Sequence, residues 1–148
     1  MTAASRLHRL LALAIDAAAI GLTAGVALLE AAPEPLRALG AVLFVALSAA
    51  DFIWLVRRGQ TLGKKIVGLR IVRRGTTDNG GFTLNILKRC LLPALIYLAL
   101  ILIPYVGVVF GALFIWADAL FIFRKDRLCL HDRIAGTEVI AAAPAVVQ

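Results

Sequence analysis

The sequence predicts an all-α membrane protein with four transmembrane helices, both termini in the cytoplasm and a short cytoplasmic β-ribbon. Three observations lead to this prediction. First, 61% of the 148 residues are hydrophobic, and they lie in long blocks instead of amphipathic periods. Second, basic residues collect between the blocks and bring the formal net charge to +7. Third, two glycine-led segments alternate β-prone residues. A chain of this length is expected to form one domain, residues 1–148.

The first two predicted spans cover residues 10–29 and 36–56. The first is longer than the apolar core of a signal peptide, contains Asp16 and ends without a small-residue cleavage pattern. We therefore interpret it as a retained transmembrane helix. The connection between the spans contains Pro33 and Pro35, which is typical of a loop.

The apolar block at residues 91–123 is too long for one crossing. As a single helix it would run ~50 Å, against a hydrocarbon core of ~30 Å. Pro104 and Gly107 mark a turn in its middle, so the block predicts two helices, at residues 84–103 and 106–123. The alternative is one long, kinked helix, which would place the C-terminus on the opposite side of the membrane.

The distribution of charge predicts the orientation of these spans. The first loop holds Arg37 as its single basic residue, whereas the N-terminus, residues 57–83 and the tail at 124–148 are rich in lysine and arginine. Such segments stay on the cytoplasmic side, so these regions are predicted to face the cytoplasm of a bacterial inner membrane. Four spans satisfy this orientation. Because topology explains the charge and no nucleic-acid-binding fold accompanies it, no nucleic-acid partner is expected.

The stretch GQTLGKKIVGLRIVRR is similar to the sequence of a phosphate-binding loop but does not match it. Three residues instead of four separate Gly59 from Gly63, and Lys65 replaces the hydroxyl residue that would bind magnesium. The stretch instead predicts a short interfacial turn that Thr61 caps. Lys64 and Lys65 are then expected to face the bilayer and its anionic lipid headgroups, which are predicted partners.

Two segments, residues 68–72 and 136–140, each consist of a glycine followed by alternating β-prone residues. We expect them to pair as the cytoplasmic ribbon, with Arg70 near Glu138. The alternative is two independent, irregular segments.

Three aspartates lie inside apolar spans: Asp16, Asp51 and Asp118. An ionisable group in a span costs about 2.5–3.5 kcal/mol and marks a functional site by default. Each lies roughly 9–10 Å from the cytoplasmic boundary, so the three are expected to share one level. Such a layer either binds a cation or proton, or forms a structural polar cluster. Arg9 lies too far along its helix to reach Asp16, so it is expected to pair with another helix or with the tail, where Asp132 is a candidate partner.

Other side chains carry weaker signals. His131, beside Asp132, could report pH near neutrality, or be a histidine that a tight turn holds by hydrogen bonds. Cys90 and Cys129 are expected to be free thiols, and the spacing of Cys129 and His131 matches no common zinc site. We therefore predict no metal, no cofactor and, because no catalytic constellation is recognisable, no enzyme.

Four blocks of the sequence together resemble the RDD family of small bacterial membrane proteins. They are RLLALAID, GQTLGK, GLRIV and LHDRIAGT, in the family's order, and the resemblance runs from about residue 9 to 140. It implies a multi-pass membrane fold. It matches Arg9 and Asp16 to the family's arginine and first aspartate, and Asp132, or alternatively Asp118, to the second. Transport of unidentified ligands, with ion–proton exchange in some members, is what the resemblance implies about function.

Two functions are therefore carried forward. The first is a small transporter or ion-coupled permease component that uses the intramembrane aspartates. The second is a non-transporting membrane module that binds a partner protein or anionic lipid through its basic cytoplasmic face. Small-residue pairs such as Gly21 and Gly25 suit close helix packing and would also suit a homo-oligomer.

Overall fold

A computed structural model describes residues 4–126 and 128–142 of the chain. Three of its helices are long and apolar enough to cross a membrane: α1 (Arg6–Leu28), α2 (Glu34–Arg58) and α4 (Thr83–Ile101). A shorter apolar helix, α5 (Gly107–Leu120), packs against α4 and continues into a 3₁₀ turn at Phe121–Phe123. These helices begin and end within a few residues of the four predicted spans. The part of the predicted tail beyond residue 142 lies outside the described residues.

The remaining elements are short and lie at one end of the helices. They are α3 (Leu62–Val67), β1 (Leu69–Arg73), α6 (Leu130–Ala135) and β2 (Thr137–Ala141). Each short helix ends at a glycine in the left-handed conformation, Gly68 with φ 72° and Gly136 with φ 67°. Because this conformation favours glycine, each glycine ends a helix, and each strand starts one residue later than predicted.

The two strands pair in an antiparallel ribbon, as predicted. The register places Arg70 opposite Ile140 and Glu138 opposite Val72, so Arg70 and Glu138 are diagonal neighbours in the ladder, two residues from direct opposition. The Arg70 Nε donates to the carbonyl of Arg58 at 3.0 Å. Glu138 accepts from the Gly75 amide at 2.9 Å. Both charged side chains therefore fix the ribbon to neighbouring loops.

The chain is built from two similar halves. Each half runs through a pair of apolar helices, a short helix, a left-handed glycine and a strand. Both strands bury their first, third and fourth residues. Ile71 and Val139 occupy the same position after their glycines, and they also lie opposite each other in the ladder. A pseudo-two-fold axis therefore passes between these two residues.

The burial pattern is the reverse of that of a soluble protein. In α1 and α2, only 6% of the most apolar window is buried, and large side chains such as Leu22 and Leu28 face outward. The buried core is small and lies where the ribbon packs on α1, with Ala12, Ile71 and Val139 among its members. An apolar exterior of this extent requires lipid around it, so the chain is a membrane protein.

Candidate functional site

Aspartates from two long helices cap the short helix α3. The amide of Leu62 donates to Asp51 Oδ1 at 2.7 Å, and the amide of Gly63 donates to Asp16 Oδ1 at 2.6 Å. The first amides of a helix have no acceptor within the helix, so these carboxylates supply it. Thr61 stands at the expected cap position, but its hydroxyl donates to Asp16 Oδ2 at 2.6 Å instead of capping the helix.

The two lysines of α3 point in different directions. Lys64 turns toward the interior, with Nζ 3.8 Å from Asp16 Oδ2 and 3.3 Å from the Thr61 hydroxyl oxygen, to which it donates. Lys65 is exposed, and its ammonium lies 4.3 Å from the centre of the Trp54 ring. The expectation that both face lipid headgroups is therefore not met by Lys64, and it stays a prediction for Lys65. Burial lowers the pKa of Lys64, and the nearby Arg89 lowers it further.

Asp132 forms two buried ion pairs, and the one with Arg9 joins the two halves. Its side chain is fully buried, and its Oδ2 lies 2.5 Å from Arg9 Nη2, the pairing expected from the sequence. Its Oδ1 bonds to Arg89, which also donates to the Thr137 hydroxyl at 3.0 Å. Burial alone would raise the pKa of Asp132, but Arg89, His131 and Arg9 together hold it below its usual range. Asp132 therefore remains an anion inside the protein.

Sequence reasoning missed Arg89. It lies in the first part of α4, at Thr83–Leu91, which is a π-helix. Such segments often occur at functional positions. One turn earlier, Asn85 is fully buried and donates to the Leu55 carbonyl at 2.9 Å, so this face of α4 points inward. In the sequence, Arg89 resembles any arginine at a cytoplasmic boundary, and the polar pair Asn85 and Arg89 at helical spacing is the one signal that could have identified it.

His131 is held by Asp118. The His131 amide donates to Asp118 Oδ1 at 2.8 Å, and its Nδ1 lies 2.8 Å from Asp118 Oδ2. The other ring nitrogen lies 3.7 Å from Asp132 Oδ1. This geometry matches the interpretation of a histidine that hydrogen bonds hold in place, and Asp118 also caps α6. Asp16 and Asp51 thus serve α3, while Asp118 serves α6. That the three aspartates share one level in the bilayer stays a prediction.

Two adjoining cavities lie between these charged groups and the long helices. The larger has a volume of about 400 Å³ and the smaller of about 230 Å³. Both are bordered by the same four charged or titratable side chains: Lys64, Arg89, Asp118 and His131. The larger is otherwise lined by Cys90 and apolar or aromatic residues of α4 and α5: Pro93, Ala94, Tyr97, Phe114 and Ile115. The smaller extends to Arg9. A polar-walled cavity among apolar helices is the natural place for a ligand.

Cys129, His131 and Asp132 bring three potential metal-ligand atoms within 4.8 Å of one another. Their chemistry does not fit a metal cation. Burial raises the pKa of the Cys129 thiol to about 11, which disfavours the thiolate that a metal needs. The Arg9 Nη2 lies 3.6 Å from Cys129 Sγ, and the Asp132 carboxylate is already bonded to two arginines. We therefore assign this group to structure.

The cap on α3 gives a first testable prediction. Asp51→Ala should lower the free energy of unfolding by about 1–2 kcal/mol, because it leaves the Leu62 amide without its acceptor. Asp51→Asn should retain most of the stability, because an amide oxygen also caps helices. Equilibrium unfolding in mixed micelles measures both variants. Equal stability of the alanine and asparagine variants would contradict the capping role.

Comparison with known proteins agrees with the membrane fold. A family model described as the RDD family matches residues 3–136. The chain is also similar to the uncharacterized protein YckC of Bacillus subtilis (strain 168), with 33% identity over 87 residues. That alignment covers 59% of this chain and 50% of YckC, so the chain matches about half the length of that relative. No solved structure gives a significant match.

Proposed function

Since the match over residues 3–136 shows that the chain belongs to the RDD family, we propose that it is a small ion- or proton-coupled transporter of a bacterial inner membrane. In this proposal α5 and its 3₁₀ turn form a short fourth crossing, and both termini face the cytoplasm. The basic segments at that end of the molecule support this orientation. No enzymatic step is part of the proposal.

The observation that carries the proposal is the pair of cavities that Lys64, Arg89, Asp118 and His131 border. Ionisable groups that line a space among membrane helices are typical of ligand and proton pathways. The structure supports different roles for the aspartates. Asp16 and Asp51 hold α3 in place through its amides, whereas Asp118 and His131 stand on the cavity wall. We therefore place the proton-exchanging pair at Asp118 and His131.

In this proposal the geometry assigns the exchanged proton to one nitrogen of His131. His131 Nδ1 faces Asp118 Oδ2, so a hydrogen on Nδ1 is shared with that carboxylate. The opposite nitrogen, Nε2, is then the atom that takes up or releases a proton, on the side of Asp132. Gain of the proton makes the cavity wall more positive, and its loss reverses this change. A charged ligand in the cavity would therefore be bound or released together with a proton.

The transport proposal is tested by flux in proteoliposomes. A pH dye is enclosed, and sodium, potassium or lithium is added outside. His131→Gln should reduce cation-driven proton movement by roughly tenfold or more, a factor that a proton-transfer residue commonly contributes. Glu138→Gln is the matched control, because Glu138 bonds to the Gly75 amide on the ribbon. Its flux should equal that of the wild type.

Equal flux in the His131 variant and the wild type would remove His131 from the pathway. An absence of flux with folded, inserted wild type would favour the second function, a module that binds anionic lipid or a partner protein. One observation favours that function. Lys65 is exposed, and so are four arginines at the ends of α2 and β1: Arg57, Arg58, Arg73 and Arg74. Together they form a basic surface suited to acidic headgroups.

A further inference from the structure

Lys64 is a partly buried cation whose hydrogen bonding is incomplete. Its side chain is only 20% exposed. Among the described residues, its ammonium has one hydrogen bond, to the Thr61 hydroxyl at 3.3 Å, and one loose ion pair, to Asp16 at 3.8 Å. An ammonium has three hydrogens to donate, and an incompletely paired buried charge is unfavourable. The Lys64 ammonium therefore has hydrogens left for a second, closer anionic partner.

The acidic groups nearby are already engaged. Asp16 accepts from the Thr61 hydroxyl and from the Gly63 amide, both at 2.6 Å. Asp118 is bonded to His131, and Asp132 is shared by two arginines. None of these carboxylates can turn to Lys64 without losing a shorter bond. Lys64 and Arg89 both border the cavity, so their end of it favours an anion.

The other walls of the larger cavity have a different character. Away from Lys64 and Arg89, the lining includes the aromatic rings of Tyr97 and Phe114 and the aliphatic side chain of Ile115. A volume of about 400 Å³ is large enough for a small organic molecule. A bare inorganic ion would leave this apolar part empty, whereas a ligand with an apolar portion would fill it.

We propose that this cavity binds an amphipathic anion, with its carboxylate or phosphate head at Lys64 and Arg89 and its apolar part along Tyr97 and Phe114. The inference rests on the proposed function, since it names the ligand class of the same cavity. The ligand has two possible sources, a soluble organic acid or an acidic lipid from the bilayer. Both present the same chemistry, an anionic head joined to an apolar chain.

The test is calorimetric binding to the full chain in nanodiscs of zwitterionic phosphatidylcholine. The probes are hexanoate and hexyl phosphate, with hexanol as the neutral ligand of equal chain length. Wild type should bind both anions and not hexanol. Lys64→Gln should weaken anion binding about tenfold or more, the value of a charge-assisted hydrogen bond. Lys65→Gln is the matched control, because Lys65 lies over Trp54, and its binding should stay within about twofold of the wild type.

Lys64→Arg keeps the positive charge and should restore most of the binding that Lys64→Gln removes. Equal affinities of the Lys64→Gln and Lys65→Gln variants would overturn the proposal. So would binding of hexanol as tight as that of hexanoate, a result that needs no variant and holds even if Lys64→Gln does not fold. Wild type in nanodiscs that contain phosphatidylglycerol separates the sources, because a lipid ligand should displace hexanoate there.

This binding test is independent of the flux test. Anion binding without cation-driven proton movement would retain the site and overturn ion-coupled transport. Proton movement without anion binding would retain transport and overturn the site.

Discussion

Asp132→Asn should lower the free energy of unfolding by about 3–5 kcal/mol, the largest effect expected of any single polar substitution in this chain. The Asp132 side chain is fully buried, and the two arginines that it binds, Arg9 and Arg89, are 9% and 8% exposed. Asparagine keeps the size of the side chain but removes its charge. Two guanidinium groups would then stay buried without their anion, which is far less favourable than an ion pair between exposed residues.

Equilibrium unfolding in mixed micelles measures this loss. Asp126→Asn is the matched control, because Asp126 pairs with Arg133 at 2.8 Å on an exposed surface. It should leave the unfolding curve unchanged. If the Asp132 and Asp126 variants unfold at the same denaturant concentration, the buried ion pairs of Asp132 do not stabilise the fold.

Acid provides a second check of the same substitution. The folded protein holds the pKa of Asp132 below its usual range, because the pull of its cationic neighbours exceeds the effect of burial. A group with a lowered pKa in the folded state stabilises the protein above its unfolded pKa. That stabilisation is lost as the pH falls below about 4, through the lower folded value. Wild type should therefore lose stability in this acid range, and the Asp132→Asn variant should lose less.

Gly63→Ala should lower the free energy of unfolding by at least ~3 kcal/mol. A Cβ at Gly63 would lie 2.1 Å from the carbonyl oxygen of Ala12 and 2.9 Å from Asp16 Oδ1. The first of these atoms belongs to the backbone of a long helix and cannot move aside. The short helix α3 would have to leave α1, and the hydrogen bond from the Gly63 amide to Asp16 would break with it.

Gly21→Ala is the control for this prediction. Gly21 lies in α1, the helix against which Gly63 packs, but a Cβ there would meet nothing within 4 Å, so the stability of this variant should equal or slightly exceed that of the wild type. Melting curves in one detergent, with size-exclusion profiles, compare the two variants. A Gly63 variant as stable as the Gly21 variant would mean that α3 does not lie against α1 in the folded protein.

Much of the fold follows from local patterns in the sequence. The long helices come from apolar blocks whose length matches a bilayer, and the turn near Pro104 divides the last block. The ribbon comes from two glycine-led, alternating segments, and the structure confirms their pairing. The register could not be predicted in this way, because alternation fixes which residues share a face of a strand but not which residue lies opposite another.

The candidate site was only partly predictable. The pairing of Arg9 with Asp132 was recognisable because a buried arginine needs an anion, and Asp16 cannot reach it. The capping by Asp16 and Asp51 was not, because the groups of α3 that need acceptors are backbone amides, which every residue except proline carries and which no sequence pattern identifies. The inward orientation of Lys64 was not predictable for another reason. The charge bias of cytoplasmic segments explains every lysine there equally well, although Lys64 points inward and Lys65 outward.

The two halves have the same order of helices and strand but carry opposite charges on the corresponding helices. In the first half, α1 provides the acid Asp16 and the short helix the base Lys64. In the second half, α4 provides the base Arg89 and the short helix the acid Asp132, at the position equivalent to Lys64 relative to its glycine. Two similar units within a single chain allow this arrangement. A homodimer of identical chains must place the same charge at both related positions, whereas a fused pair can place a cation at one and an anion at the other.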